Sequence, residues 1–202
     1  MFQILLSIPV RIFLKLFCGF KVRGFENLSG VDTTHGLILA SNHKHQVDSV
    51  MLACALPLAS GLGPVNFVAL SKGEYERFPI GRYIYGGFLF RLVNGYSIKS
   101  GLKDYASTLV KHIELLKLGK TVSIYPEGKI IYTDELGQAH GGVAYLAKVS
   151  NAPIIPIAIK GMQLTFGKPI YFDEIDEPSL PEEKRYRAGA SKVMSKNGQL
   201  IK

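Results

Sequence analysis

The stretch LILASNHKHQVDSVMLACAL, residues 37–56, opens as an unbroken apolar run and closes as a helical one. Leu37 to Ser41 reads as a buried strand, and Asp48 to Leu56 as a helix ended by Pro57. Short apolar runs of the same kind recur at Pro64 to Leu70, Phe88 to Val93, Thr121 to Tyr125, Pro153 to Ile159 and Pro169 to Phe172. Helical patterns lie between several of them. Gly101 to Leu118 places Leu102, Tyr105, Leu109, Ile113 and Leu116 on one face, with Gly119 as its stop, and Gly142 to Val149 is another. Strands alternating with helices predict an α/β fold, a single domain with a central, largely parallel sheet flanked by helices. In such sheets ligands gather at the loops that leave the strand ends.

The chain has 202 residues, 47% of them apolar and 20% charged, which suits one folded domain and excludes both disorder and a body built of membrane spans. No repeat, low-complexity tract or linker divides it. Cys18 and Cys54 sit in apolar stretches without metal or redox spacing and read as small buried hydrophobes, so no disulfide framework is expected and a reducing compartment is. A net charge of +8 points to anionic partners. The basic residues are scattered and no RNA-binding signature accompanies them, so nucleic acid is not expected.

Residues 1–20, MFQILLSIPVRIFLKLFCGF, form a segment of their own ahead of a domain over 21–202. Arg11 and Lys15 interrupt the apolar run too early for a spanning helix, and no charge precedes it as in a signal peptide. Gln3, Ser7, Arg11 and Lys15 recur every fourth residue, while Phe2, Leu5, Leu6, Ile12, Phe13, Leu16, Phe17 and Phe20 fill the other faces. A narrow basic stripe on a broad apolar body predicts an amphipathic helix in the plane of a membrane interface, bent at Pro9. The competing reading is a core helix packed on the domain.

The strand at Leu37–Ser41 leads into Asn42-His43-Lys44-His45-Gln46-Val47-Asp48. Across a junction of loop and helix, His43 and Asp48 can approach, so that the carboxylate holds one imidazole nitrogen and leaves the other to accept a proton. Such a pair is what a general base needs to deprotonate a hydroxyl. Asp48 equally suits a helix N-cap. His43 and His45 with Asp48 also admit a metal, although Val47 and Asp48 stand where the His-x-His-x-Asp-His pattern of metallo-hydrolases wants Asp and His.

Along nearly its whole length the chain resembles the glycerolipid (lysophosphatidic acid, or 1-acylglycerol-phosphate) acyltransferase family. Asn42-His43…Asp48 resembles that family's first motif, His, four residues, Asp. Gly24-Phe25-Glu26-Asn27-Leu28 looks like the Gly-x-Glu-Asn-Leu ahead of it. Lys72-Gly73-Glu74-Tyr75…Pro79-Ile80-Gly81 and Phe88-Leu89-Phe90-Arg91 are similar to the next two stretches, with Tyr85 where a glycine is usual. Tyr125-Pro126-Glu127-Gly128 looks like Phe-Pro-Glu-Gly, and Gly142 to Ala147 followed by Ala152 to Ile157 matches the fourth region.

The resemblance implies an enzyme, an acyltransferase moving a fatty acyl group from acyl-CoA or acyl-carrier protein to a lysophospholipid hydroxyl, lysophosphatidic acid first, in phospholipid biosynthesis. It implies His43 as base and Asp48 as its orienting carboxylate. Lys72 and Arg91 would hold the acceptor phosphate, Glu127 and Gly128 would shape the acceptor site, and Pro156 would shape the wall near the acyl chain. Neither metal nor cofactor is implied beyond the thioester cosubstrate. The expected setting is the cytoplasmic face of a membrane, with the bilayer as partner. After Gly128 the family usually continues Thr-Arg-Ser, whereas Lys129-Ile130-Ile131 stands here. Lys129 then supplies the cation one residue early, as a point charge rather than a fork. An acceptor without phosphate, or a non-catalytic membrane-surface protein of the same fold, are the alternatives that this departure raises.

Overall fold

The computed structural model describes residues 2–70, 94–98, 104–133 and 135–201. Along the chain they form α1 (Phe2–Phe17), β1 (Lys21–Arg23), β2 (Leu37–Ser41), α2 (Asp48–Ala55), β3 (Val65–Leu70) and β4 (Gly95–Ile98). Then come α3 (Tyr105–Lys117), β5 (Thr121–Ile124), α4 (Gly142–Ser150), β6 (Ile154–Lys160), β7 (Gln163–Phe166), α5 (Phe172–Ile175) and α6 (Glu182–Leu200). The strands make one sheet in the order β1-β7-β6-β2-β5-β3-β4. Every neighbouring pair is parallel except β6 with β7.

β2 lies inside the sheet, between β5 and β6, and all five of its residues are buried. Its side chains alternate, so Ile38 and Ala40 join one core while Leu37 and Leu39 join the other. The first core packs α3, α4 and α6 on one face through Leu109, Leu146, Val193 and Met194. The second packs α1 and α2 on the opposite face through Val10, Leu14, Met51 and Leu52. Burial on both faces is why β2 and β6 read as continuous apolar runs rather than alternating ones. Helix boundaries follow local chemistry. The Asp104 carboxylate accepts from the Ala106 and Ser107 N–H groups to start α3. Gly119, at φ +71°, ends it, with Gly119 N–H bonded to the Leu116 carbonyl and Lys120 N–H to that of Leu115.

The structure departs from the sequence reading at several places. Pro169 to Phe172 is not a strand: Ile170 makes a single bridge to Ile154, and Phe172 already opens α5. Between that bridge and the Ile157↔Phe166 pair the returning segment carries one extra residue, a bulge around Gly167 to Pro169. β1, β4, β7 and the long α6 carried no apolar signal strong enough to read. The strand expected at Phe88 to Val93 and the start of the helix expected from Gly101 lie outside the described residues.

α1 forms, with Gln3 and Arg11 of its polar stripe turned toward the domain and Lys15 exposed. Gln3 is buried, accepting from Val65 N–H and donating to the Val65 carbonyl at 2.8 and 2.9 Å. Arg11 donates to the Leu56 carbonyl just beyond α2 at 3.4 Å, a cation at a helix C-terminus. Its large apolar residues Leu5, Leu6, Ile8, Ile12, Phe13, Leu16 and Phe17 are exposed. Among the described residues no helix is long and apolar enough to cross a membrane.

Candidate active site

The polar residues of the site converge where β2 and β5 end, in the loops that leave those strands. Asn42, fully buried, extends the sheet by one side chain: its amide donates to the Ile159 carbonyl and accepts from Ile159 N–H, at 2.9 and 2.8 Å. That anchor fixes the chain just ahead of His43. The His43 imidazole places Nδ1 3.0 Å from Asp48 Oδ2. The carboxylate has no exposed surface, and the imidazole keeps 16% of its own. Asp48 Oδ2 also accepts from the backbone N–H groups of Lys44 and His45, at 2.7 and 2.8 Å. The carboxylate therefore points back over the loop and does not cap α2, whose flanking residue is Val47. An ionised carboxylate can only accept, so Nδ1 carries the hydrogen, and in the neutral ring Nε2 keeps its lone pair. Two peptide donors and one imidazole on a single buried oxygen pin the ring and its tautomer together.

Glu127 holds the same loop from the β5 side. It is 1% exposed. One carboxylate oxygen accepts His43 N–H at 2.8 Å and the other Gly137 N–H at 2.7 Å. Both oxygens are spent on backbone, so Glu127 shapes the site as a clamp under His43. Gly128, expected as the tight turn, has φ +64°, and the His140 ring packs beside it. The loop after Gly128 is tied to the His43 segment twice more. Ile131 N–H donates to the His43 carbonyl at 2.8 Å. Lys44 Nζ donates to the carbonyls of Thr133 and Glu135 at 2.5 and 2.7 Å.

Tyr125 completes the surroundings of His43. Its ring lies flat on the imidazole, with centroids 4.0 Å apart and planes 13° apart. Its hydroxyl pairs with Ser49 Oγ at 2.9 Å. Burial pushes the phenol far above its ordinary range, with the Ser49 bond pulling weakly the other way, so it stays protonated.

The remaining expected residues fall elsewhere. Lys129 and His45 are exposed. Pro156 is buried in β6, opposite Ala40, and a Cβ added at Gly167 would stand 2.8 Å from its ring. Its missing N–H costs nothing at a bulge. Lys72 and Arg91 lie outside the described residues. Among the described residues no three His, Cys, Asp or Glu side chains group as metal ligands. Cys54 is a poor nucleophile, because burial raises its thiol to about 11 against a smaller pull from Arg11.

Several contributors were invisible to sequence reasoning. Asn42 was visible only as a neighbour of His43, and Lys44, Ser49, Tyr125 and Ile131 carried no signal of their role. Tyr125 and Ser49 are 76 residues apart, and only the parallel pairing of β2 with β5 brings them together.

The family model described as Acyltransferase matches residues 19–160. The chain is 26% identical over 191 residues to the 1-acyl-sn-glycerol-3-phosphate acyltransferase of Bacillus subtilis (strain 168), a match covering 89% of this chain and 86% of that protein. It is 24% identical over 126 residues to the probable 1-acyl-sn-glycerol-3-phosphate acyltransferase of Mycoplasma pneumoniae, covering 62% of this chain and 44% of that relative. The chain thus spans less than half the length of the Mycoplasma protein. The structure of the 1-acyl-sn-glycerophosphate (LPA) acyltransferase PlsC from Thermotoga maritima superposes with a TM-score of 0.63 at 18% identity, over 98% of this chain and 76% of that one. That likeness is one of fold. The family match takes in β2, α2, β5 and the loops that carry His43, Asp48 and Glu127: this chain belongs to the Acyltransferase family.

Proposed function

We propose that the protein transfers a fatty acyl group from a thioester donor, acyl-CoA or acyl-carrier protein, to the free hydroxyl of a lysophospholipid, with lysophosphatidic acid as the preferred acceptor. The observation that carries this reading is the 3.0 Å contact of His43 Nδ1 with the buried Asp48 carboxylate, which leaves Nε2 as a base at the end of β2. Nε2 takes the hydroxyl proton as the oxygen attacks the thioester carbonyl. The C–S bond breaks, and the proton passes from Nε2 to the departing thiolate. Ester and thiol form, and His43 returns to its starting state. Asp48 stabilises the imidazolium in between. The step as written needs neither metal nor cofactor, and it runs without an acyl-enzyme.

Lys72, Arg91 and Lys129 supply the positive charge for the acceptor's phosphate in this reading. The relatives named as 1-acyl-sn-glycerol-3-phosphate acyltransferases support that acceptor. α1 serves as the membrane contact. Its exposed face is apolar from Leu5 to Phe17, with Lys15 alongside, which suits a helix lying at the cytoplasmic surface of a bilayer with its apolar side in the acyl region.

The test supplies isotopically labelled acyl-CoA with lysophosphatidic acid or, in parallel, with a monoacylglycerol that lacks the phosphate, and identifies products by mass spectrometry. Labelled phosphatidic acid, formed with the higher kcat/KM, is the expected result. Equal kcat/KM on both acceptors would overturn the phosphate acceptor. Release of free fatty acid alone would overturn acyl transfer. Lys129→Ala should raise the acceptor's KM about tenfold with little change in kcat, because a charge-assisted contact of ~1.5–3 kcal/mol is made in ground and transition states alike.

A further inference from the structure

The surroundings of His43 contain one group that this reaction scheme does not use. Tyr125 follows β5 directly, and its ring covers one face of the imidazole at 4.0 Å, nearly parallel to it. The hydroxyl at the far end of that ring is bonded to Ser49, the residue after Asp48 in α2. The base, its carboxylate and the stacked ring are thus tied into one unit by three different segments. The phenol is paired with Ser49 and pushed far above its ordinary range by burial, so it is a poor proton donor for the chemistry. Its face is another matter. An aromatic face attracts a cation more than a neutral ring, and His43 becomes a cation only while it holds the acceptor's proton.

We propose that Tyr125 is a positioning residue for acyl transfer: its ring fixes the plane of His43 and stabilises the imidazolium formed during transfer, while Ser49 holds the phenol in place. The inference rests on the reading of His43 as the general base. It assigns the function to the π-face and not to the hydroxyl, so phenylalanine serves at this position nearly as well as tyrosine.

The experiment measures kcat and KM for acyl-CoA and lysophosphatidic acid on the wild type and on Tyr125→Phe, Tyr125→Leu, Tyr125→Met, Ser49→Ala and His43→Ala. Folded protein is quantified by circular dichroism and thermal melting. Tyr125→Leu and Tyr125→Met should each lose about tenfold in kcat per folded molecule, with both KM values within about twofold of wild type. Two replacements of different shape guard against the failure of either to fold. Tyr125→Phe should keep kcat within about threefold, and Ser49→Ala should behave like it. Wild-type kcat in the folded Leu or Met variant would overturn the proposal. So would a Phe variant as impaired as the Leu variant, or a loss seen only in KM. A His43→Ala protein with full activity would overturn the reading of His43 as base and this inference with it. A His43→Ala protein without activity, beside an unimpaired Tyr125→Leu, would overturn this inference alone.

Discussion

The loop from Asn42 to Asp48 and the helix α1 treat their polar groups alike and their surfaces in opposite ways. In the loop the acceptors close on neighbours, Asp48 Oδ1 excepted among the described residues. Asp48 Oδ2 takes three donors, Glu127 takes two backbone N–H groups, and Asn42 closes a pair with Ile159. In α1 the polar residues Gln3 and Arg11 are likewise drawn in, onto Val65 and Leu56. What α1 leaves outside, however, is apolar: Leu16 is 73% exposed and Phe17 75%. A single exposed Leu needs no explanation, but a helix face made of seven large apolar residues does. The difference teaches that the loop spends its polar groups on holding one geometry, whereas α1 spends Gln3 and Arg11 on docking to the domain and leaves an apolar face outside.

The comparison breaks most visibly at α1. Leu16→Glu with Phe17→Glu changes residues that the domain does not bury, so the melting temperature should stay within a few degrees of wild type. Partition onto anionic vesicles should fall by about two orders of magnitude, since each large apolar side chain is worth roughly 1.5–3 kcal/mol on burial. Unchanged sedimentation with vesicles would remove α1 from the membrane account. Activity on a water-soluble, short-chain acceptor should survive the same substitutions.

The next effect comes from loosening the clamp. Glu127→Gln keeps the shape of the side chain but sets an amide donor against one of two buried N–H donors, His43 or Gly137. The unsatisfied pair should cost on the order of 1–3 kcal/mol in a denaturation experiment, and about tenfold in kcat as the His43 backbone shifts. An unchanged kcat in the folded variant would show that the clamp does not set the position of His43.

The smallest effect belongs to a place that follows neither pattern. His112 in α3 is 1% exposed, lies edge-on to Tyr96, and has no hydrogen-bond partner on either ring nitrogen among the described residues. Burial lowers it from 6.5 to about 4, with the Phe67 backbone pulling weakly the other way without forming a bond of good geometry. The unfolded chain therefore binds the proton first as pH falls, so stability is full above 6.5 and declines toward 4. His112→Phe should remove on the order of 1–2 kcal/mol of the stability that the wild type loses between pH 7 and 5. Parallel denaturant midpoints for the two proteins across that range check it. An identical pH slope would sink the assignment.

How much of this could be read in the sequence depends on where each signal resides. β2 and β6 were legible because burial on both faces writes itself as an unbroken apolar run. α6 was not, because the face it buries is made of Gly189, Ala190 and Asn197 beside Tyr186, Val193 and Met194, and small or polar contacts leave little periodic hydrophobicity. β1 and β7 are short, with β1 largely exposed and β7 burying only Leu164 and Phe166 fully, so their pairing is decided by partners distant in the chain. In α1 the four-residue spacing of Gln3, Ser7, Arg11 and Lys15 was visible, but not which way it faced. Orientation depends on the bonds that Val65 and Leu56 offer to Gln3 and Arg11. In the site, the spacing of His43 and Asp48 was readable as a local pattern. The clamp by Glu127, 84 residues away, and the stack by Tyr125 exist only once β2 and β5 lie side by side.

The central claim is that His43, held by Asp48, removes the acceptor's proton. It is tested most directly by single-turnover acyl transfer to lysophosphatidic acid in His43→Ala and, beside it, His45→Ala. The account predicts a loss of at least ~10²-fold for His43→Ala with an unchanged fold, and a loss within about threefold for the exposed His45. Equal losses at the two positions, or full activity without the His43 imidazole, would contradict it.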